Sequence, residues 1–203
     1  MLKVVITGPE STGKSTLALA LAEHFNTPLV QEYAREYLEK KYAKTVRKDS
    51  SGEEGLSTYD ATDLFKMLTI QIKNEEKSYE ALLLTNKKGI LICDTDSLTF
   101  KIWSEEVFNN IEPKTQQLID SQFINSNKND EAIYLLCSPE GIIWQTDPLR
   151  ENPNDRDRLF EIYKSELIKH KKNYFILRGS KKERFSAAIN IIESFLSKSD
   201  RVI

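Results

Sequence analysis

The segment that most constrains the fold of this chain is the stretch from Gly8 to Ser15, which reads GPESTGKS. It fits the pattern G-x-x-x-x-G-K-[ST]. The β-branched run of residues 2–6 precedes it, and alternating leucines and alanines at residues 17–22 follow it. The first run favours a strand and the second a helix. This order predicts a phosphate-binding loop, in which backbone N–H groups and the positive end of the helix dipole face an anion.

Two side chains of the motif indicate the identity of the anion. Lys14 can reach the β and γ phosphates of a nucleotide, and the hydroxyl of Ser15 can ligate Mg²⁺. We therefore expect ATP and Mg²⁺ as cofactors. Residues 49–52 and 127–130 spell the D-x-x-G and N-K-x-D motifs of GTPases, but neither follows an apolar strand. The sequence therefore does not predict a GTPase.

Length and composition exclude several classes of protein. The 203 residues predict a single domain over residues 1–203 with a sizeable core. The net charge of −2 argues against a nucleic-acid-binding surface. No apolar run approaches the roughly 20 residues that span a bilayer, and a signal peptide does not fit a chain whose first strand begins at residue 2. We expect a cytoplasmic protein with neither nucleic acid nor membrane as a partner, and the sequence does not indicate its oligomeric state.

Strand-like and helix-like patterns alternate along the chain. Further strands are predicted at residues 28–31, 89–93, 132–137 and 174–177, and helices at 33–42, 59–85, 98–108, 114–124, 153–170 and 182–196. Alternation of this kind is typical of a parallel sheet covered by helices on both faces. The predicted fold class is therefore α/β, a three-layer P-loop NTPase fold with a five-stranded parallel sheet. Cys93 and Cys137 end two of the apolar runs, and we expect both to be buried thiols.

Two stretches lack periodicity. Residues 45–57 are polar and hold two glycines, and we expect a flexible surface loop there. Residues 138–154 hold three prolines and a glycine and follow the fourth strand. Long loops on the ligand side of a compact domain are often lids or binding loops, so this second stretch is the predicted lid.

The segment GILICDTD ends in two carboxylates, Asp94 and Asp96. An aspartate at this strand end can hold Mg²⁺ together with Ser15. In an extended chain both carboxylates face the same side, which predicts that they converge on a cation or a substrate hydroxyl. Alternatively, Asp96 or Ser97 caps the following helix. No glutamate directly follows Asp94, which favours transfer to an acceptor other than water.

The segment QEYAREYL places charges at the tip of the second strand. Glu32 leaves that strand at its carboxyl end, where ligands of open α/β sheets lie, and can act as general base toward a substrate hydroxyl. Arg35 lies near the start of the next helix and can bind the substrate or orient Glu32. The alternative is a solvated charge pair.

The predicted lid and the helix after it carry Arg150, Arg156 and Arg158. With Asn152 as N-cap and Pro153 as first helical residue, Arg156 shares the apolar face of the helix and Arg158 points about 200° away. We therefore expect Arg156, with Arg150 as its partner, to act as an arginine finger supplied in cis. The alternative is surface pairing with neighbouring aspartates.

Together these stretches resemble the kinase domain of NadR-type ribosylnicotinamide kinases. The resemblance rests on GPESTGKSTLALALAEHFNT, QEYAREYL, CDTDSLT and DRDRLFEIYKSEL and covers nearly the whole chain. It implies a nucleoside-monophosphate-kinase-like fold and ATP-dependent phosphorylation of the ribose 5′-hydroxyl of nicotinamide riboside. It also implies that the substrate lies among Glu32, Tyr33, Arg35, Asp94 and Asp96, and that ATP is held by Gly8, Pro9, Glu10, Ser11, Thr12, Gly13, Lys14, Ser15 and Thr16.

The resemblance leaves the acceptor open. The chain lacks the H-x-G-H motif of a nucleotidyltransferase, so we do not expect it to adenylylate the mononucleotide. The alternatives are a kinase of another nucleoside or nucleotide, and an ATP-switched ATPase that controls a partner. Either Glu32 or Asp96 could be the base, and Lys14, Arg150 and Arg156 would neutralise charge. By position, residues 178–185 are expected to contact adenine, and Trp103 or Trp144 could stack on a ring or serve as packing.

Overall fold

Five parallel strands form the centre of the structure, a computed structural model that describes residues 1–46, 59–84, 89–108, 111–124, 131–146 and 154–199. The strands are β1 (Leu2–Thr7), β2 (Leu29–Val30), β3 (Ile90–Asp94), β4 (Glu131–Cys137) and β5 (Asn173–Leu177). Their order across the sheet is β2-β3-β1-β4-β5, and every pair is parallel. The predicted five-stranded parallel sheet is confirmed.

Seven α-helices accompany the sheet within the described residues. They are α1 (Lys14–His24), α2 (Tyr33–Val46), α3 (Ala61–Leu83), α4 (Ser97–Phe108), α5 (Pro113–Ile119), α6 (Arg156–Lys169) and α7 (Lys181–Ser199). A π-helical turn, Asp120–Ile124, extends α5. The predicted start of the sixth helix was wrong, because its N-cap is Asp155 rather than Asn152.

Two apolar clusters, one on each face of the sheet, account for the three layers. Alternate residues of β1 point to opposite faces, as the period of a strand requires. Val4 and Ile6 pack with residues of α1 and α7. Val5 packs with residues of α3, α4, α5 and α6. Cys93 and Cys137 are buried thiols, as predicted.

Because the strands are parallel, their carboxyl ends lie at one edge of the sheet, which is where ligands bind in folds of this class. The loops after β1, β3 and β4 start at that edge. No helix among the described residues is long and apolar enough to cross a membrane. The loop predicted at residues 45–57 falls almost entirely outside the described residues, as do Arg150, Asn152 and Pro153.

At Gly8 the neighbouring backbone leaves no room for a side chain. The φ of this residue, +128°, is one that L residues rarely adopt, and a Cβ there would lie 2.8 Å from the carbonyl oxygen of Cys137. We expect Gly8→Ala to lower the free energy of unfolding by about 2–6 kcal/mol, from backbone strain and from overpacking. Gly141→Ala is the matched control, because its φ is +71° but its Cβ would meet nothing within 4 Å. Urea denaturation measures both variants, and equal losses would contradict the close-contact explanation.

Candidate active site

The loop between β1 and α1 is held in shape by side-chain hydrogen bonds to its own backbone. The N-cap of α1 is Gly13, which adopts a left-handed conformation with φ 82° and makes no side-chain capping hydrogen bond. The hydroxyl of Thr12 and the ammonium of Lys14 both donate to the carbonyl of Pro9, at 2.9 and 2.7 Å. The loop thereby curves over the N-terminus of α1, where unpaired N–H groups and the helix dipole favour an anion.

A buried arginine of α7 supports this loop from behind. Arg184 is 4% exposed, and its guanidinium donates to the carbonyls of Thr12 (3.1 Å), Ser138 (2.8 Å) and Gly179 (2.8 Å). These carbonyls belong to the loop after β1, the loop after β4 and the loop after β5. Sequence reasoning placed this segment near adenine but assigned no role to Arg184, because an arginine in the helical run KKERF is typical of a solvated face.

Asp94 lies at the end of β3 next to the first turn of α1. Burial raises the pKa of its carboxyl, whereas a hydrogen bond with Ser15 and the charges of Lys14 and Arg35 lower it. Its Oδ1 atom is buried and has no hydrogen-bond partner among the described residues. Mg²⁺ is usually held by one or two carboxylates together with substrate phosphates. The unpartnered oxygen of Asp94 beside the hydroxyl of Ser15 therefore fits a magnesium ion.

Asp96 does not share that site, and the expectation that it converges with Asp94 was wrong. Thr95 adopts a left-handed conformation with φ +69°, which breaks the alternation that would keep both carboxylates on one side. The Asp96 side chain accepts hydrogen bonds from the Leu98 N–H (3.0 Å) and the Tyr134 hydroxyl (2.9 Å). It is fully buried. Asp96 thus caps α4, the alternative that the sequence left open.

Glu32 and Arg35 lie beside the phosphate loop, as predicted from their position after β2. Glu32 is half-buried. Burial and the nearby carboxylates of Asp94 and Glu10 raise its pKa, and Lys14 and Arg35 oppose this rise. A carboxylate of raised pKa next to a phosphate-binding lysine is a candidate general base.

The neighbour of Glu32, Tyr33, faces elsewhere. Its N–H donates to the side chain of Gln71 at 2.9 Å, and its ring lies 6.2 Å from that of Tyr37. Tyr33 is not among the described residues that line the cavity of the site. The geometry therefore does not bring Tyr33 together with Glu32 and Arg35.

A cavity of about 840 Å³ begins at the phosphate loop and is bounded by two further walls, one on the α7 side and one on the α4 and α6 side. Glu32 and Arg35 line it next to the loop. On the α7 side it is lined by Lys181, Lys182, Arg184 and Phe185, within the segment predicted to contact adenine. On the α4 and α6 side its walls are Tyr59, Thr99, Ile102, Trp103, Leu159 and Tyr163.

Two polar pairs on the α4 side had no signal in the sequence. The indole N–H of Trp103 donates to the hydroxyl of Tyr59 at 2.7 Å, and the hydroxyl of Tyr163 donates to that of Thr99 at 3.3 Å. Each pair joins residues at least 44 positions apart in the chain. Pairs this distant cannot be found from periodicity.

The start of α6 meets the phosphate loop at Ser11. Arg156 donates to the carbonyls of Ser11 (3.4 Å) and Ile142 (2.9 Å), and its guanidinium lies 5.6 Å from the ring of Trp144. Arg158 points outward and pairs with Asp155 and Glu106. The predicted difference in direction between the two arginines is confirmed. The role of Arg156 and Arg150 in catalysis remains a prediction.

The comparisons with known proteins agree with this geometry. A family model described as an AAA domain matches residues 3–184. The chain belongs to this family. No curated protein sequence gives a significant match.

Solved structures show the same fold at low sequence identity. A NadR protein in complex with NR is 22% identical, with a TM-score of 0.63 over 96% of this chain and 51% of that chain. A deoxyadenosine kinase from M. mycoides is 18% identical, with a TM-score of 0.57 over 95% and 99% of the two chains. A thymidylate kinase from Ehrlichia chaffeensis is 15% identical, with a TM-score of 0.59 over 94% and 98%. The chain spans about half the length of the NadR protein, and the resemblance to NadR-type kinase domains is confirmed at the level of the fold.

Lys14 offers a direct check of the phosphate loop. We expect Lys14→Ala to abolish ATP turnover, because the lysine at this position of a phosphate loop contacts the β- and γ-phosphates and neutralises charge during transfer. Its melting temperature should stay near that of the wild type, since the residue lies at a loop–helix junction. Lys66→Ala is the control, because Lys66 is an exposed lysine of α3 that pairs with Asp63 and is not among the described residues that line the cavity. Turnover near the wild-type rate in Lys14→Ala would contradict the assignment.

The two arginines of α6 form a matched pair for a second check. We expect Arg156→Ala to lower kcat by on the order of 10³-fold, with a much smaller rise in KM for ATP, because charge on the phosphoryl group peaks in the transition state. Arg158 lies two residues further along α6 and is exposed. Arg158→Ala should therefore leave both constants nearly unchanged. Steady-state ADP release measures both variants, and the opposite ranking would overturn the arginine-finger hypothesis.

Proposed function

We propose that the chain is an ATP-dependent kinase that phosphorylates a hydroxyl of a small nucleoside-like acceptor. One observation carries this proposal. The cavity at the phosphate loop continues past Glu32 and Arg35 to a wall of aromatic and polar side chains on α4 and α6. An ATPase whose acceptor is water needs no second compartment of this kind. A kinase needs one that opens next to the γ-phosphoryl group.

The residues have distinct roles in this proposal. Glu32 would orient the acceptor hydroxyl and take its proton. Lys14 and Arg156 would neutralise charge on the transferred phosphoryl group, which passes in line from ATP to the acceptor oxygen. Ser15 and the unpartnered oxygen of Asp94 would hold Mg²⁺, whose charge screens the phosphate oxygens when it is bound. Arg35 would keep Glu32 ionised through its nearby positive charge.

Nicotinamide riboside is the proposed acceptor. Its support is the resemblance of the motifs to NadR-type kinases and the shared fold with a NadR protein in complex with NR. The aromatic pair Tyr59–Trp103, with ring centroids 5.0 Å apart, gives the cavity a wall suited to a planar ring. The similar structure of a deoxyadenosine kinase makes another nucleoside the alternative.

ADP release with and without nicotinamide riboside tests the proposal, together with direct detection of the mononucleotide. Stimulation by this riboside alone supports the specific acceptor. Stimulation by a different nucleoside keeps the kinase and replaces the acceptor. If no nucleoside stimulates ADP release, the kinase proposal fails and an ATP-switched module takes its place.

Glu32 provides the sharpest mutational prediction. Glu32→Gln preserves the shape but removes the proton acceptor, and we expect acceptor phosphorylation to fall by on the order of 10²- to 10⁴-fold. ATP affinity, measured by calorimetry, should hardly change. Burial raises the pKa of Glu32. As the pH decreases, the wild-type rate should therefore begin to fall at a higher pH than it would with a glutamate of ordinary pKa. That acid limb should be absent from the residual activity of Glu32→Gln.

Two control variants accompany this experiment. Glu36→Gln changes an exposed carboxylate one turn further along α2 that pairs with Lys40, and it should leave the rate unchanged. Asp96→Asn should lower the free energy of unfolding, because Asp96 caps α4. Its rate of acceptor phosphorylation should fall less than that of Glu32→Gln. A larger loss of rate in Asp96→Asn than in Glu32→Gln would assign the base to Asp96 and contradict the roles given above.

A further inference from the structure

The buried guanidinium of Arg184 has an unusual set of partners. An arginine this deeply buried is ordinarily paired with a carboxylate. Here the guanidinium donates to three backbone carbonyls, and no carboxylate lies within ion-pairing distance in the part of the chain that the structure describes. These carbonyls and the Cys137 thiol, which also forms a hydrogen bond with Arg184, are neutral, so none of them compensates the positive charge of the guanidinium.

The bond to Thr12 has a consequence on the other side of the same peptide group. The Thr12 carbonyl and the Gly13 N–H belong to one planar unit, and in a trans peptide they point in opposite directions. No peptide bond of the described chain is cis. The guanidinium therefore lies on one side of this peptide, and the Gly13 N–H points to the other. A Cβ at Gly13 would meet no atom within 4 Å, so the loop is open there.

A cationic donor on a carbonyl polarises the whole peptide group. Hydrogen bonds in a chain strengthen one another, and the effect is larger where water is excluded. The positive charge of Arg184 should therefore make the Gly13 N–H a stronger donor toward an anion in the loop. The same charge adds to the helix dipole of α1 from behind.

We propose that Arg184 is a positioning residue for the nucleotide phosphates, acting through the Thr12–Gly13 peptide, and that phosphate charge supplies the counter-ion that the described residues do not. This inference rests on the proposed binding of ATP at the loop. It assigns the guanidinium two tasks. The planar fork fixes the loop to the ends of β4 and β5, and the charge strengthens anion binding through the peptide group, from a side chain that lines the same cavity.

Lysine and methionine separate these two tasks. Arg184→Lys keeps the charge but loses the fork that reaches three carbonyls. Arg184→Met keeps much of the length of the side chain and loses the charge. Arg158→Met is the matched control, because Arg158 is an exposed arginine of α6 that pairs with Asp155 and Glu106 and is not among the described residues that line the cavity.

Calorimetric titration of the full chain with ATP, ADP and adenosine, without acceptor, tests the inference. We expect Arg184→Met to lose about 10- to 100-fold in ATP affinity, the scale of a charge-assisted hydrogen bond, less for ADP, and almost nothing for adenosine. Arg184→Lys should recover part of the loss, and Arg158→Met should bind all three ligands like the wild type. Equal losses for ATP and adenosine would indicate only a structural role and overturn the inference, as would unchanged ATP affinity in Arg184→Met.

An amide NMR spectrum of the ligand-free protein gives a second readout. Loss of the charge behind the peptide should move the Gly13 amide proton upfield in Arg184→Met and less in Arg184→Lys. If Arg184→Met fails to fold, the ratio of ATP to adenosine affinity in Arg184→Lys decides, and a ratio equal to that of the wild type overturns the inference. Wild-type protein that binds no ATP would refute the proposed function and this inference together, whereas wild-type binding with unaltered variants refutes the inference alone.

Discussion

The candidate site depends on how closely the first loop lies on the sheet. The backbone of Gly8 lies against that of Cys137 with no room for a Cβ, so the loop turns directly over the carboxyl ends of β1 and β4. From there it reaches Asp94 at the end of β3 and Arg184 at the start of α7. Because parallel strands end at one edge of a sheet, groups distant in sequence meet there, and a looser loop would separate them.

The charges gathered at this edge influence one another. Burial raises the pKa values of Glu32 and Asp94, and Lys14 and Arg35 lower them. An anionic triphosphate beside Lys14 would partly neutralise the charge of Lys14. The electrostatic stabilisation that Lys14 gives to the ionised carboxylates would then be weaker. The affinity of Glu32 for protons would rise, whereas a magnesium ion held by Asp94 would lower that of Asp94. Glu32 would thus be a stronger base with nucleotide bound than without it, which favours proton transfer only when a phosphoryl donor is in place.

Patterns that repeat locally made most of the fold predictable. Within the described residues, the apolar runs indicated all five strands and the helical patterns all seven helices to within a few residues, because both signals depend on neighbouring residues. The phosphate loop was readable for the same reason. Asp96 was misplaced because the left-handed conformation of Thr95 has no signature in a residue that is not glycine. Arg184 was missed because its three acceptors come from three separate loops, and such convergence exists only after folding.

Ser11 connects the phosphate loop to the segment after β4. It adopts φ +55° although it is not a glycine, a conformation that costs free energy unless its surroundings hold it. Its hydroxyl accepts the N–H of Gln145 at 2.9 Å, and its carbonyl accepts Arg156. Both bonds come from the predicted lid and its helix. Loss of these two bonds would remove the contacts that hold Ser11 in this conformation, so the shape of the phosphate loop depends on residues that follow β4 in the chain.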